Sequence, residues 1–207
     1  MTLRRTVLLG TPLVLTVLMI FHPSPYDDVA GELVPIAGWW IALHTIGFLL
    51  FALMGVAIWM LTSGLRGVFA TLSRVAAVIF AVFYDAGDAI AGISTGILAR
   101  SAEVGALGER AAVVAIETLW ADPTKNLLFD IGRNAWIVAL VTAAVALYRA
   151  GAPRLPLVLL ALPAYLVTFD HAFPFGSLTF GTFFIIAAWL ELAPGRVFST
   201  RQPRHVS

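Results

Sequence analysis

Runs of about twenty mostly apolar residues recur along this chain, each the length that a helix needs to cross roughly 30 Å of hydrocarbon. They cover residues 6–21, 37–61, 75–98, 123–148, 155–173 and 177–192. A bilayer admits only helices and closed barrels, because every backbone polar group must be satisfied internally. These runs lack the apolar/polar alternation of a barrel strand, so they read as helices. Composition agrees, with 60% hydrophobic residues, 12% charged residues and a mean hydropathy of +0.92. The expected fold is an all-α polytopic membrane protein, a six-transmembrane-helix bundle forming one domain over residues 1–207.

The connections support this segmentation. Arg4-Arg5 and the short apolar run after them look like a signal peptide, but no small-x-small cleavage site precedes His22-Pro23 and further spans follow, so the segment reads as a retained first span. Residues 22–36 are rich in proline and acid and read as a loop, with His22 as a loop residue. Trp39-Trp40 opens the second span as an interfacial aromatic pair. Within the long connection after the third span, Leu107, Ala111, Val114 and Thr118 fall at helical spacing, which predicts an extracytoplasmic amphipathic helix over 103–121. Asp122-Pro123 reads as an N-cap and a first-turn proline opening the fourth span. Pro163 is expected to kink the fifth.

An even number of crossings puts both termini on one side, and the arginine bias chooses the side. Arg4, Arg5, Arg66, Arg74, Arg149 and Arg154 fall at the terminal end, while Glu32, Glu103, Glu109, Glu117 and Asp122 fall at the other. The expected location is the plasma (inner) membrane, multi-pass, with the N- and C-termini cytoplasmic. With that threading the intramembrane polar residues share one depth, the outer half, and the inner half of the same spans is almost wholly apolar. A polar cavity open toward the outer side follows.

Asp85 and Asp88 lie three residues apart on one face of the third span, together with the small residues Ala81, Gly92, Thr95 and Gly96. An acid at that depth costs a few kcal/mol and marks a candidate site. Two like charges this close do not both ionise cheaply, which keeps one carboxyl protonated and able to act as a general acid. Asp130 and Tyr84 complete the candidate catalytic set. His44, Arg133, Asn134, His171, Asp170 and Trp40 form the candidate substrate-binding set. Asp130, Arg133 and Asn134 sit at i, i+3 and i+4, so Asp130 can also satisfy the arginine locally.

These residues fit an enzyme acting on a lipid-soluble substrate by carboxylate acid/base chemistry, such as protonation-initiated cyclisation or isomerisation, with a membrane lipid or isoprenoid-like molecule as partner and no cofactor. In overall plan, with buried acids in a small helical membrane protein, the chain resembles small integral-membrane terpene cyclases. That resemblance implies acid catalysis without metal. The alternative is a metal site of His44, Asp85, Asp88 and His171 holding a divalent metal, or a haem, although none of these residues has HxxxH or ExxH spacing. A proton-coupled transporter is a further alternative, without repeated halves to support it. A net charge of +1 with no basic cluster offers nothing to nucleic acid. The absence of cysteine excludes disulfides, thiolate ligands and a cysteine nucleophile.

Overall fold

The structure, a computed structural model of the chain, describes residues 3–24, 27–169 and 171–192. Among them every regular element is helical. We number the helices α1 (Leu3–Ile20), α2 (Val29–Leu61), α3 (Val68–Glu103), α4 (Glu109–Ala121), α5 (Pro123–Arg149), α6 (Arg154–Leu166) and α7 (Phe175–Leu192). Five of them, α1, α2, α3, α5 and α7, are long and apolar enough to cross a membrane. Large apolar side chains point outward along these helices, among them Leu49 on α2, Val82 on α3 and Ile185 on α7. Outward apolar faces on every long helix are what a bilayer, rather than water, requires of a bundle.

Four helices differ from the sequence expectation: α3 is longer than residues 75–98, running Val68–Glu103, α4 begins at Glu109 rather than at residue 103, and α2 and α6 differ as follows. The regular α-helix of the second span, Ala37–Leu61, has the expected limits, but the chain is already helical from Val29. Asp28 supplies the reason: its Oδ1 accepts the Gly31 amide at 2.9 Å and caps the first turn, while Val29 and Leu33 turn inward. Pro35 falls at the start of a short 3-10 segment, Val34–Ile36, that joins these first turns to the regular α-helix, a position where a missing N–H is tolerated. The fifth span is shorter than expected. It consists of two pieces, Arg154–Leu159 and Ala161–Leu166, broken at Leu160. Pro163 lacks an amide for the carbonyl four residues back and crowds it, so the break falls one turn before the proline. Its own carbonyl accepts the Trp136 indole at 2.9 Å, which fixes α6 against α5.

The core is built around close helix contacts. On α5, Gly132 lies against the backbone of Tyr84, where an added Cβ would come within 2.7 Å of the Tyr84 nitrogen. On α2, Gly55 meets Ala77 and Ala81 in the same way. Small residues that let helix backbones approach are a principal packing device inside membranes. Trp136, Phe80, Phe180 and Phe183 fill the space between α3, α5 and α7.

The two ends of the bundle have different chemistry. At the end where α1 begins and α7 finishes, Arg4 and Arg5 both reach Glu191 of α7, at 3.3 and 3.2 Å. Arg4 also donates to the Met60 carbonyl and Arg74 to those of Thr62 and Leu65, so the C-terminus of α2 is closed by guanidinium groups. At the opposite end α4 packs across the bundle, burying Ile116 against Val29, Leu33, Trp40 and Ala99, with Ala112 also buried on α4. The stripe expected to define this helix faces the other way, with Val114 and Thr118 exposed. Asp122 caps α5 as expected, accepting the Thr124 amide at 2.7 Å.

Candidate metal centre

The intramembrane polar residues converge at the end of the bundle opposite the termini. Their arrangement starts from a local irregularity in α3. At Ala89–Ser94 the helix widens into a π-turn, a feature often found at functional sites. Widening redirects backbone carbonyls outward. The Gly92 carbonyl accepts the Trp40 indole at 2.9 Å, and the Ala91 carbonyl accepts that of Trp120 at 3.4 Å. Trp120 also donates to Thr95 Oγ1 at 3.0 Å. In this way α2 and α4 are pinned to the same turn.

Gly92 has a second role. The His44 ring lies directly against it, so that any Cβ at position 92 would overlap His44 Cδ2 and Cγ. His44 is thus held between α2 and α3, and its Nδ1 donates to the Trp40 carbonyl at 2.9 Å. That bond fixes the tautomer, because a carbonyl only accepts. Nδ1 carries the proton and Nε2 presents its lone pair to the interior.

His22 follows the end of α1 and is buried, packed edge-on against Trp40 and His44. Its Nδ1 donates to the Pro23 carbonyl at 2.6 Å, so in the neutral ring Nε2 is again the lone-pair nitrogen. The two Nε2 atoms, each opposite a tethered Nδ1–H, stand 3.3 Å apart. His171, in the turn entering α7, brings a third ring. One nitrogen from each of His22, His44 and His171 lies within 4.8 Å of the others. Gly176 makes room for that turn: a Cβ there would overlap the His171 carbonyl.

Asp88 stands behind the histidines and is 1% exposed. Its Oδ1 lies 3.6 Å from His171 Nε2 and 4.0 Å from His44 Nε2, and neither of its oxygens has a hydrogen-bond partner. Asp85, one turn closer to the middle of the bundle, is also buried and has an unpartnered Oδ1. In front of the histidines is a cavity of about 360 Å³. Trp40, Tyr84, Trp120, Phe129 and Phe169 supply its aromatic walls, and Lys125, Asn126 and Arg133 supply polar groups.

Of the residues singled out from sequence, the structure brings His44, His171, Asp88, Tyr84, Trp40 and Arg133 to this one place. Asp130 and Asn134 are exposed and do not line the cavity. Asp130 takes Arg133 at 2.6 Å, the local pairing that their spacing allows, and Asn134 donates to the Asp130 carbonyl. Asp170 lies outside the described residues. His22 is the addition that the sequence reading lacked. Its position at the end of the first span, at the depth of His44 and His171, was the signal available for it.

Over its described residues the chain is therefore an all-helical protein with the apolar helices of a membrane protein and a cluster of three histidines and an acid at one end. No protein-family model, no curated protein and no solved structure matches it.

Proposed function

We propose that the protein is a metal-dependent integral membrane enzyme, in which His22, His44, His171 and Asp88 hold a divalent transition ion at the floor of a cavity that admits a lipid-soluble substrate. The observation that carries this reading is the approach of two nitrogens that both present lone pairs. Neutral rings whose Nδ1 atoms donate to carbonyls repel at the 3.3 Å that separates His22 and His44 Nε2. A cation between them reverses the sign. Nitrogens bound to tetrahedral zinc at about 2.0–2.1 Å stand about 3.4 Å apart. A backbone carbonyl on the remote ring nitrogen is also the usual outer-shell partner of a ligating histidine.

Asp88 adds the negative charge that such a site needs, and its lack of hydrogen-bond donors is explained by an ion as partner. Imidazole and carboxylate donors suit zinc or iron. Three rings this close favour a bare ion over a haem. When bound, the ion supplies Lewis-acid polarisation of a substrate oxygen. Metal-free acid/base chemistry by Asp85 and Asp88 is the second reading, supported by their unpartnered oxygens. It leaves the facing histidine lone pairs without a purpose.

Protein purified gently in detergent is expected to carry near-stoichiometric zinc or iron by elemental mass spectrometry, and to melt at a lower temperature after chelation. Metal-free protein whose melting is indifferent to added zinc and iron would sink the proposal and leave the acid/base reading.

The arrangement in the membrane completes it. We infer six crossings, with α6 as a broken fifth, and both termini cytoplasmic, so that the cavity opens on the outer side. The arginines at the terminal end support this orientation. A chain without cysteine makes the test direct. Glu109→Cys is expected to react with a membrane-impermeant maleimide on intact cells and Ala150→Cys only after lysis. The reverse pattern would invert the topology.

A further inference from the structure

From the charge and lining of the cavity we infer the class of its substrate: an amphiphile with an apolar chain and an anionic head, phosphate or carboxylate. This rests on the metal reading above and adds to it the second anchor. Among the described residues that line the cavity, the charged side chains on the wall are Lys125 and Arg133, both cations. Lys125 Nζ spends one donor on the Trp120 carbonyl at 2.7 Å, and an ammonium group has others. The Arg133 guanidinium shares one edge with Asp130, which sits outside the cavity, while Arg133 itself lines it. With a metal ion at the floor and two side-chain cations on the wall, an anion is the group whose charge this site complements.

The walls select the rest of the molecule. Phe129 and Phe169 line the cavity, and Phe169 is also 49% exposed, stacked on Phe175 at 4.8 Å. Such a residue joins the cavity to an apolar part of the exterior, beside the start of α7. A chain leaving the cavity past Phe169 enters hydrocarbon directly. A fully water-soluble anion gains nothing from that exit, and a neutral lipid gains nothing from Lys125 and Arg133.

The test uses the intact, metal-loaded protein and the fluorescence of Trp40 and Trp120, which line the cavity. Dodecyl phosphate and dodecanoate are titrated against dodecyl maltoside, dodecyltrimethylammonium and inorganic phosphate. The two anionic amphiphiles are expected to bind at least tenfold more tightly than the neutral or cationic ones and than inorganic phosphate. The double variant Lys125→Gln/Arg133→Gln is expected to lose that preference while keeping its metal content. Metal-loaded protein that shows no preference for charge, or a variant that keeps the preference, overturns this inference alone. Protein without metal overturns the functional reading and this inference with it. Tight binding of inorganic phosphate equal to that of dodecyl phosphate assigns a soluble anion instead and also overturns it.

Discussion

His22→Ala is expected to cost the protein its metal as completely as His44→Ala or His171→Ala does. Changes to the outer-shell partners of metal ligands already lower affinity by about 10–100-fold, and loss of a ligand is expected to exceed that range. In thermal unfolding the consequence is large. An ion present at about 100 times its dissociation constant stabilises the folded state by about 2.7 kcal/mol, and each variant should forfeit that increment. His22 is the most discriminating of the three. It sits in a connection rather than within a long helix, so His22→Gln, which keeps most of the buried volume without an imidazole, is the companion variant that separates lost ligation from lost packing. Cobalt substitution gives the direct readout, since a tetrahedral site with nitrogen donors produces visible absorption that each histidine variant should abolish. Asp130→Asn and Asn134→Ala, on the outside of α5, are the matched controls and should retain the signal. Three histidine variants with wild-type metal content and monodisperse behaviour would remove the cluster from consideration.

The fold was legible in sequence wherever one physical constraint dominated. Hydrocarbon thickness set the lengths of the apolar runs, and the Asp122-Pro123 pair marked the start of α5 because capping is local chemistry. The extension of α2 back to Val29 was not legible, because the prolines and acids of that segment signal a loop by composition. The cap at Asp28 and the burial of Val29 and Leu33 under α4 depend on elements distant in sequence. The same division runs through the site. A shared depth pointed to His44, Asp88 and His171. Which way Arg133, Asp130 and Asn134 turn was decided by the packing of Gly132 against Tyr84, which places one side of α5 inward. His22 was hidden beside Pro23, since its value lies in facing His44 across two fixed tautomers, and tautomers are set by carbonyls that only the folded chain supplies.

Asp88→Asn separates the cost of the site from its use, because its effect is expected to change sign with metal. Without metal, Asp88 is a buried carboxyl group whose oxygens have no hydrogen-bond partner, with the Nε2 atoms of His171 and His44 at 3.6 and 4.0 Å. A buried polar group left unsatisfied costs about 1–3 kcal/mol, and more if charged. Asparagine keeps the shape, cannot ionise and turns an N–H toward those imidazoles. The chelated variant should therefore melt at a higher temperature than chelated wild type. With metal the order reverses: the ion loses a negatively charged donor, affinity falls by at least the 10–100-fold of an outer-shell change, and the stabilisation that zinc or iron confers shrinks accordingly. Melting curves of the two proteins, each with chelator and with saturating zinc, measure both effects. If the chelated variant is the less stable one while the response to zinc is unchanged, Asp88 is a structural acid and the ion, where it binds, is held without it. Crossing curves would mean that the protein carries a buried acid at a loss in stability that metal binding repays, as expected of a residue retained for chemistry rather than for folding.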